Sequence, residues 1–262
     1  MEWDPGPGGT LKTLFEQAPL SDYQSMPERF RLEWGPIFYR GRTDGTARVI
    51  IVGQDPAADE NVARRALVGD AGQRLQGYLR KLGLTRSYII VNAFLYSIFG
   101  QFNTPMRAFM DRSTVTAWRN QLFDALVNPG TQAILAFGNA ARHAVETWPG
   151  SSGLRSQGRV FELLHPTARP TSDVLTDWSS KLNAISAKVT ADPDGQRDLS
   201  AYVGPTFKPT DQERIPHRDL GFGMPAWMGD GDMARRIKPS GSLPLLAKTG
   251  SSVAVTPTAT LG

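Results

Sequence analysis

The stretch Arg48-Val-Ile-Ile-Val-Gly-Gln-Asp-Pro-Ala57 decides the fold of this chain. An unbroken apolar run that stops at turn residues is typical of a buried strand in a parallel sheet. The stretch Arg159-Val-Phe-Glu-Leu-Leu-His-Pro-Thr-Ala-Arg169 has the same form. In both, a proline keeps the preceding residue, Asp55 or His165, in extended conformation. Since ligands bind beyond the carboxyl ends of parallel strands, these two side chains are candidates for a functional site.

The rest of the central region alternates strand patterns with helix patterns. Four apolar runs have the length and composition of strands: residues 48–52, 88–91, 133–137 and 159–164. The clearest helix between them is predicted by a stripe of Leu75, Leu79 and Leu82. Further helices are predicted after Ser113, Asn139 and Ser172. This alternation predicts an α/β fold, a three-layer α/β/α sandwich with a mainly parallel four-stranded central sheet.

Composition divides the chain into three parts. We expect an N-terminal extension packed on the core, a central α/β domain and an irregular C-terminal extension, over residues 1–44, 45–190 and 191–262. The last part is rich in proline and glycine and shows no sustained periodicity. It nevertheless carries apolar residues such as Phe207, Trp227 and Met228, so part of it is expected to lie against the domain.

Composition also limits the chemistry. The chain has no cysteine, which excludes disulfides, thiolate zinc sites and cysteine-bound iron–sulfur clusters. No pair among its three histidines has the spacing of metal ligands, so we expect no metal and no cofactor. The net charge of +4 suits a polyanionic partner, although the excess of arginine also follows from a GC-rich genome. With no membrane-spanning run and no leader pattern, we expect a cytoplasmic, nucleoid-associated protein without a membrane partner.

Three short motifs follow predicted strands in chain order. Gly53-Gln-Asp-Pro56, Ile89-Ile-Val-Asn-Ala93 and His165-Pro-Thr167 resemble the water-activating motif, the base-reading asparagine and the histidine motif of the uracil-DNA glycosylase superfamily. The residues of these motifs are similar to those of the first family in the superfamily. The segment Ala66-Leu-Val-Gly-Asp-Ala-Gly-Gln73 is instead similar to a segment of the iron–sulfur families, whose cluster the absence of cysteine excludes. The resemblance covers roughly residues 45–190.

This resemblance implies a monomeric, monofunctional uracil-DNA glycosylase that hydrolyses the N-glycosidic bond of uracil in DNA and so initiates base excision repair. Asp55 and His165 would be catalytic. The Asp55 carboxylate would offset the positive charge on the sugar and position a water, while neutral His165 would hydrogen-bond the departing base. The amide of Asn92 offers one donor and one acceptor for a pyrimidine edge. Gln54 would complete the base pocket.

A glycosylase must flip its target base out of the duplex, so the loops around the site should contact DNA. Thr167 and Arg169 lie on the loop of the histidine motif, and Arg169 stands where the first family has an intercalating leucine. Arginine can stack on bases and also bind phosphate. Gly138 and Asn139 begin a predicted helix whose free amides suit a phosphate, although an ordinary helix cap is an equal interpretation.

Two departures from the family pattern bear on substrate range. Ala57 stands where the first family has a tyrosine that bars thymine, and Leu67 stands where a phenylalanine stacks on the base. We therefore expect a roomier base pocket that also accepts other deaminated bases. These departures keep open an alternative, a protein that binds uracil or damaged DNA without turnover. A phosphoester hydrolase that uses Asp55 and His165 is disfavoured, because phosphate-loop and metal-ligand patterns are missing.

Overall fold

The computed structural model describes residues 2–223 and centres on a five-stranded sheet. Its strands are β1 (Tyr39–Gly41), β2 (Val49–Gly53), β3 (Tyr88–Asn92), β4 (Ala133–Phe137) and β5 (Val160–Leu163). Their spatial order is β1-β3-β2-β4-β5. Strands β2 to β5 run parallel, and β1 joins the edge antiparallel to β3. The predicted α/β sandwich with four parallel strands is therefore confirmed, with an additional antiparallel edge strand.

Helices cover both faces of the sheet. They are α1 (Gly9–Glu16), α2 (Leu20–Gln24), α3 (Ala58–Ala63), α4 (Asp70–Lys81), α5 (Thr104–Met110), α6 (Ser113–Leu126), α7 (Asn139–Glu146), α8 (Ser151–Ser156) and α9 (Thr171–Ser186). The long helices α4, α6 and α9 begin close to the positions that the sequence indicates. Helices of two turns or fewer, such as α3, show too little periodicity to be predicted. Within residues 2–223, no helix has the length and apolar character needed to cross a membrane.

Alternate residues of each central strand enter two different cores. Ile50 and Val52 of β2 face a cluster that includes Trp118 of α6. Val49 and Ile51 face a second cluster, which α4 and α9 cover. Because both faces of β2 are buried, its sequence is a continuous apolar run rather than an alternating one.

The edge strand β1 carries a buried arginine at its centre, which explains why no apolar run marks it. The Arg40 side chain is fully buried and its Nη1 donates to Asp219 and to Gln76, both at 2.9 Å. Its Nε donates to the carbonyl oxygen of Ala66 at 2.9 Å. A charge is tolerated in a protein interior when it is paired and hydrogen-bonded in this way. These partners are distant in sequence, so local patterns do not reveal them.

The C-terminal extension packs on the domain through Asp192, and the predicted contacts of Trp227 and Met228 lie outside the described residues. Asp192 Oδ2 accepts hydrogen bonds from the backbone amides of Thr85, Arg86 and Ser87, at 2.7–3.1 Å. Its Oδ1 pairs with Arg48 at 2.7 Å. Burial alone raises the pKa of Asp192, but the hydrogen bonds from Ser87 and from the three amides outweigh it and lower the pKa to about 2.

We predict that Asp192→Asn lowers the free energy of unfolding at pH 7 by roughly 2 kcal/mol. Because the pKa is lower in the folded state, this stabilisation is present above pH ~4 and is lost as the pH falls towards 2. Urea unfolding at pH 7 and at pH 3 measures the loss of stability and its dependence on pH. Asp173→Asn, at an exposed site in α9, is the control. An equal loss at both pH values would contradict the prediction.

Candidate active site

The predicted site residues lie along the carboxyl edge of the sheet. Asn92 ends β3 beside Gly53, its partner in β2. Gly138 follows β4 and His165 follows β5, so β4 lies between Asp55 and His165. Two strand spacings separate the backbones of β2 and β5 by about 10 Å. Gly138, directly after β4, lies against the His165 side chain on this edge.

Gly138 also permits a close approach to the histidine. Its φ of +87° lies in the left-handed region that favours glycine. A Cβ at this position would lie 3.1 Å from the Cβ of His165. Both the backbone conformation and the available space therefore require glycine at the start of α7.

The carboxylate of Asp55 is fixed by two hydrogen bonds. Gln54 Nε2 donates to Oδ1 at 3.0 Å, and the backbone amide of Ile98 donates to Oδ2 at 3.0 Å. Burial raises the pKa of Asp55 to about 6, against the lowering effect of these two donors. The nearby Glu60 carboxylate raises it further. Asp55 is therefore ionised at neutral pH, although its surroundings disfavour the ionised form.

The Asn92 amide faces Gly53 at the end of the neighbouring strand. Asn92 is 3% exposed, and neither its Oδ1 nor its Nδ2 has a hydrogen-bond partner among the described residues. A Cβ on Gly53 would lie 2.5 Å from Asn92 Oδ1 and 3.1 Å from a methyl group of Leu67. The side chains of Asn92 and Leu67 therefore both lie against Gly53. A buried, unpaired donor and acceptor are costly unless a ligand satisfies them.

Leu67 is held in the site by a carboxylate that the sequence analysis missed. The buried Glu60 of α3 accepts hydrogen bonds from the amides of Ala57, Val68 and Gly69, at 2.9, 2.7 and 3.1 Å. It thereby links the start of α3 to the Leu67 loop. Leu67 itself has a φ of +50°, a strained conformation for a branched residue. Glu60 also accepts from the amide at the start of its own helix, but Ala57 lacks the polar side chain that marks a capping box in a sequence, so the pattern gave no signal for this role.

His165 is held as a neutral ring of defined tautomer. Burial lowers its pKa to about 4. The backbone amide of Thr167 donates to His165 Nδ1 at 3.3 Å, and the Thr167 hydroxyl lies 3.0 Å from the same nitrogen. Since Nδ1 accepts, the proton of the neutral ring is on Nε2. His165 therefore offers a hydrogen-bond donor rather than a positive charge.

Side chains from two helices fix the backbone on either side of His165. The amide of Leu164 donates to Asp177 at 2.8 Å, and its carbonyl accepts from Trp178 Nε1 at 2.9 Å. Arg74 Nη1 donates to the carbonyl oxygen of Pro166 at 3.0 Å. Arg74, Asp177 and Trp178 are thus positioning residues that sequence reasoning did not identify, because their partners lie in other elements.

The remaining predicted residues lie around this centre. Thr167 contacts His165, and Gln54 contacts Asp55. Exposed positions are taken by Ala57, Asn139 and Arg169, whose Nη1 donates to Thr171 at 3.3 Å. Across residues 2–223, no group of three His, Cys, Asp or Glu side chains is arranged to hold a metal ion.

Comparison with known proteins gives one finding. A family model described as Uracil DNA glycosylase superfamily matches residues 40–183, more than half of the 262-residue chain. The matched range contains Asp55, Asn92 and His165, whereas residues 184–223 of the structure fall outside it. No curated protein matches the sequence.

We predict that Asp55→Asn raises the free energy of unfolding at pH 8 by about 2 kcal/mol, because it removes a half-buried carboxylate whose ionised form the fold disfavours. The pKa of Asp55 is higher in the folded state, so its ionisation destabilises the fold as the pH rises through about 6. The gain should therefore shrink as the pH falls, and vanish near pH ~4. Urea unfolding at several pH values tests this, with Asp173→Asn as the control. A variant less stable than the parent at pH 8 would refute it.

Proposed function

The chain belongs to the uracil-DNA glycosylase superfamily and is a DNA glycosylase, and we propose that its substrate is uracil in DNA. We propose further that it releases the base by hydrolysis alone and leaves an abasic site. The absence of lysine from the three motifs supports this, because coupled strand cleavage needs an amine nucleophile.

The observation that carries the proposal is the unpaired amide of Asn92. Its buried oxygen needs a donor and its buried nitrogen needs an acceptor. The edge of uracil supplies both, an imide N–H beside a carbonyl oxygen. Cytosine presents an acceptor nitrogen beside an amino group, so at the same edge it would leave both pairs mismatched. The cost of such unpaired buried groups accounts for selectivity.

Asp55 and His165 act on opposite sides of the bond that breaks. As the bond lengthens, positive charge grows on the sugar and negative charge on the base. Asp55 stabilises the sugar cation and accepts a proton from the attacking water. His165 Nε2 donates to a base oxygen and stabilises the leaving anion. A neutral imidazole suits this role, since its proton is shared rather than transferred.

The small size of two side chains at the site supports a wider substrate range. Leu67 is smaller than an aromatic ring, and the exposed Ala57 presents only a methyl group at its side of the site. Neither side chain has the size to bar an enlarged base. We therefore extend the proposal to other deaminated bases.

The deciding experiment incubates the purified protein, in chelator, with oligonucleotides that contain uracil, hypoxanthine, xanthine or thymine. We expect release of free uracil and alkali-labile sites. Asp55→Asn and His165→Leu should lower single-turnover excision by orders of magnitude, with His143→Leu as the matched control. Because Asp55 must be ionised, the rate should fall about tenfold for each pH unit below about 6.

Two outcomes would contradict the proposal. Retention of uracil-containing DNA without any release of free base would favour a binding protein. Excision that survives both variants would exclude Asp55 and His165 from the chemistry. Cleavage of uracil alone would remove only the extension to other deaminated bases.

Base choice gives a separate prediction for Asn92. Asn92→Asp replaces the amide donor with an acceptor, so uracil excision should fall by at least tenfold. When the new carboxyl is protonated, it can pair with cytosine, and we expect weak cytosine excision to appear. Release of each base from matched oligonucleotides measures this. Asn183→Asp, at an exposed site in α9, should change neither activity. Unchanged base choice in Asn92→Asp would remove this residue from base recognition.

A further inference from the structure

Two chain segments pair at the rim of the active site. The amide of Arg31 donates to the carbonyl of Ser97 at 2.9 Å, and the amide of Phe99 donates to the carbonyl of Arg29 at 2.8 Å. Between them, Phe30 and Ile98 form an antiparallel bridge. We call residues 29–31 and 97–99 together the rim ribbon. One of its segments precedes the family-matched region and the other lies within it.

The rim ribbon is attached directly to the proposed catalytic carboxylate. The amide of Ile98 donates to Asp55 Oδ2 at 3.0 Å. Phe99 is the next residue along the chain. Any DNA strand whose sugar lies at Asp55 therefore passes close to the rim ribbon, because neighbouring nucleotides extend in both directions from that sugar.

The outer side of the rim ribbon carries an aromatic and cationic stack. The guanidinium carbon of Arg31 lies 4.4 Å from the ring centroid of Phe99 and 4.8 Å from that of Trp34. Arg64 ties the backbone of Trp34 to α3, since it donates to the carbonyls of Trp34 and Pro36. The stack is thus held in place from two sides before any ligand arrives.

Phe99 is unusually exposed for a phenylalanine. It is 39% exposed, although its neighbour Ile98 is buried. The charge beside it is positive, and the ion pair of Arg31 with Glu33 is long, at 4.0 Å. An exposed ring next to an arginine, at the edge of a site for a nucleotide, has the chemistry of a base-stacking platform.

We propose that Phe99, backed by Arg31, stacks on the base that neighbours the target nucleotide. The occupant is one unpaired base of the same DNA strand, so this inference rests on the proposed function for the identity of the polymer. The loop after His165 carries the polar Arg169 in place of an apolar wedge. The Phe99 ring supplies the apolar face that holds the strand open beside the flipped base.

Binding without turnover tests the inference. The probe is a short single-stranded oligonucleotide with a tetrahydrofuran residue at the target position, which cannot be cleaved, and fluorescence anisotropy gives its Kd. Phe99→Ala should raise the Kd roughly tenfold, the usual effect of losing one stacked base. Phe99→Trp, which keeps an aromatic face, should restore binding. Val203→Ala, at a 67% exposed apolar residue of the C-terminal extension, is the matched control.

Two further probes each also lack one neighbouring base, the first on the 5′ side of the target position and the second on the 3′ side. One of these probes should bind the parent protein about tenfold more weakly, yet bind Phe99→Ala no more weakly than the complete probe does. The inference would be overturned if, for both probes, the loss of affinity from the missing base and the loss from Phe99→Ala were additive. It would also be overturned if the parent protein bound none of the probes. An unchanged Kd for Phe99→Ala in a protein that releases uracil refutes this inference alone. Phe99-dependent binding without uracil release refutes only the proposed function.

Discussion

The parallel pairing of β2 with β3 is the constraint on which the site depends. Its register places Gly53 opposite Asn92, where the missing Cβ makes room for the amide. A slip of one residue would bring Val91 opposite Gly53 and turn the amide to the other face of the sheet. Since the continuous apolar runs bury both faces, such a slip would also exchange the residues of the two cores. Core packing thereby enforces the geometry of a polar site at the strand ends.

One physical cause sets the charges of both proposed catalytic groups. Burial raises the pKa of Asp55 to about 6 and lowers that of His165 to about 4. At neutral pH Asp55 is therefore an anion and His165 a neutral hydrogen-bond donor. This combination suits the proposed reaction, in which positive charge develops on the sugar and negative charge on the departing base. Glu60, and not a cation, is the charged group that shifts Asp55. A neighbouring cation would stabilise the carboxylate but would oppose the positive charge that develops on the sugar.

The sequence predicted the positions of the proposed reacting groups better than it predicted the residues that support them. Each motif residue follows an apolar run, and parallel strands bring those run ends together, so Asp55, Asn92 and His165 were placed on one edge. The partner of Arg74 is Pro166, 92 residues away. Periodicity reports that a residue is buried and not what it contacts. For the same reason the sequence did not predict strand β1. Its central Arg40 is buried because residues from other elements accept its hydrogen bonds.

The C-terminal extension is part of the support for the histidine loop. Phe207 packs on Trp178 with ring centroids 5.5 Å apart and lies 4.9 Å from the guanidinium carbon of Arg74. Tyr202 contacts Trp178 from the same side. Trp178 and Arg74 in turn bind the carbonyls of the residues on either side of His165. Without the extension these two side chains would be open to water, which competes for their hydrogen bonds. The geometry of the histidine is therefore set partly by residues beyond the family-matched region.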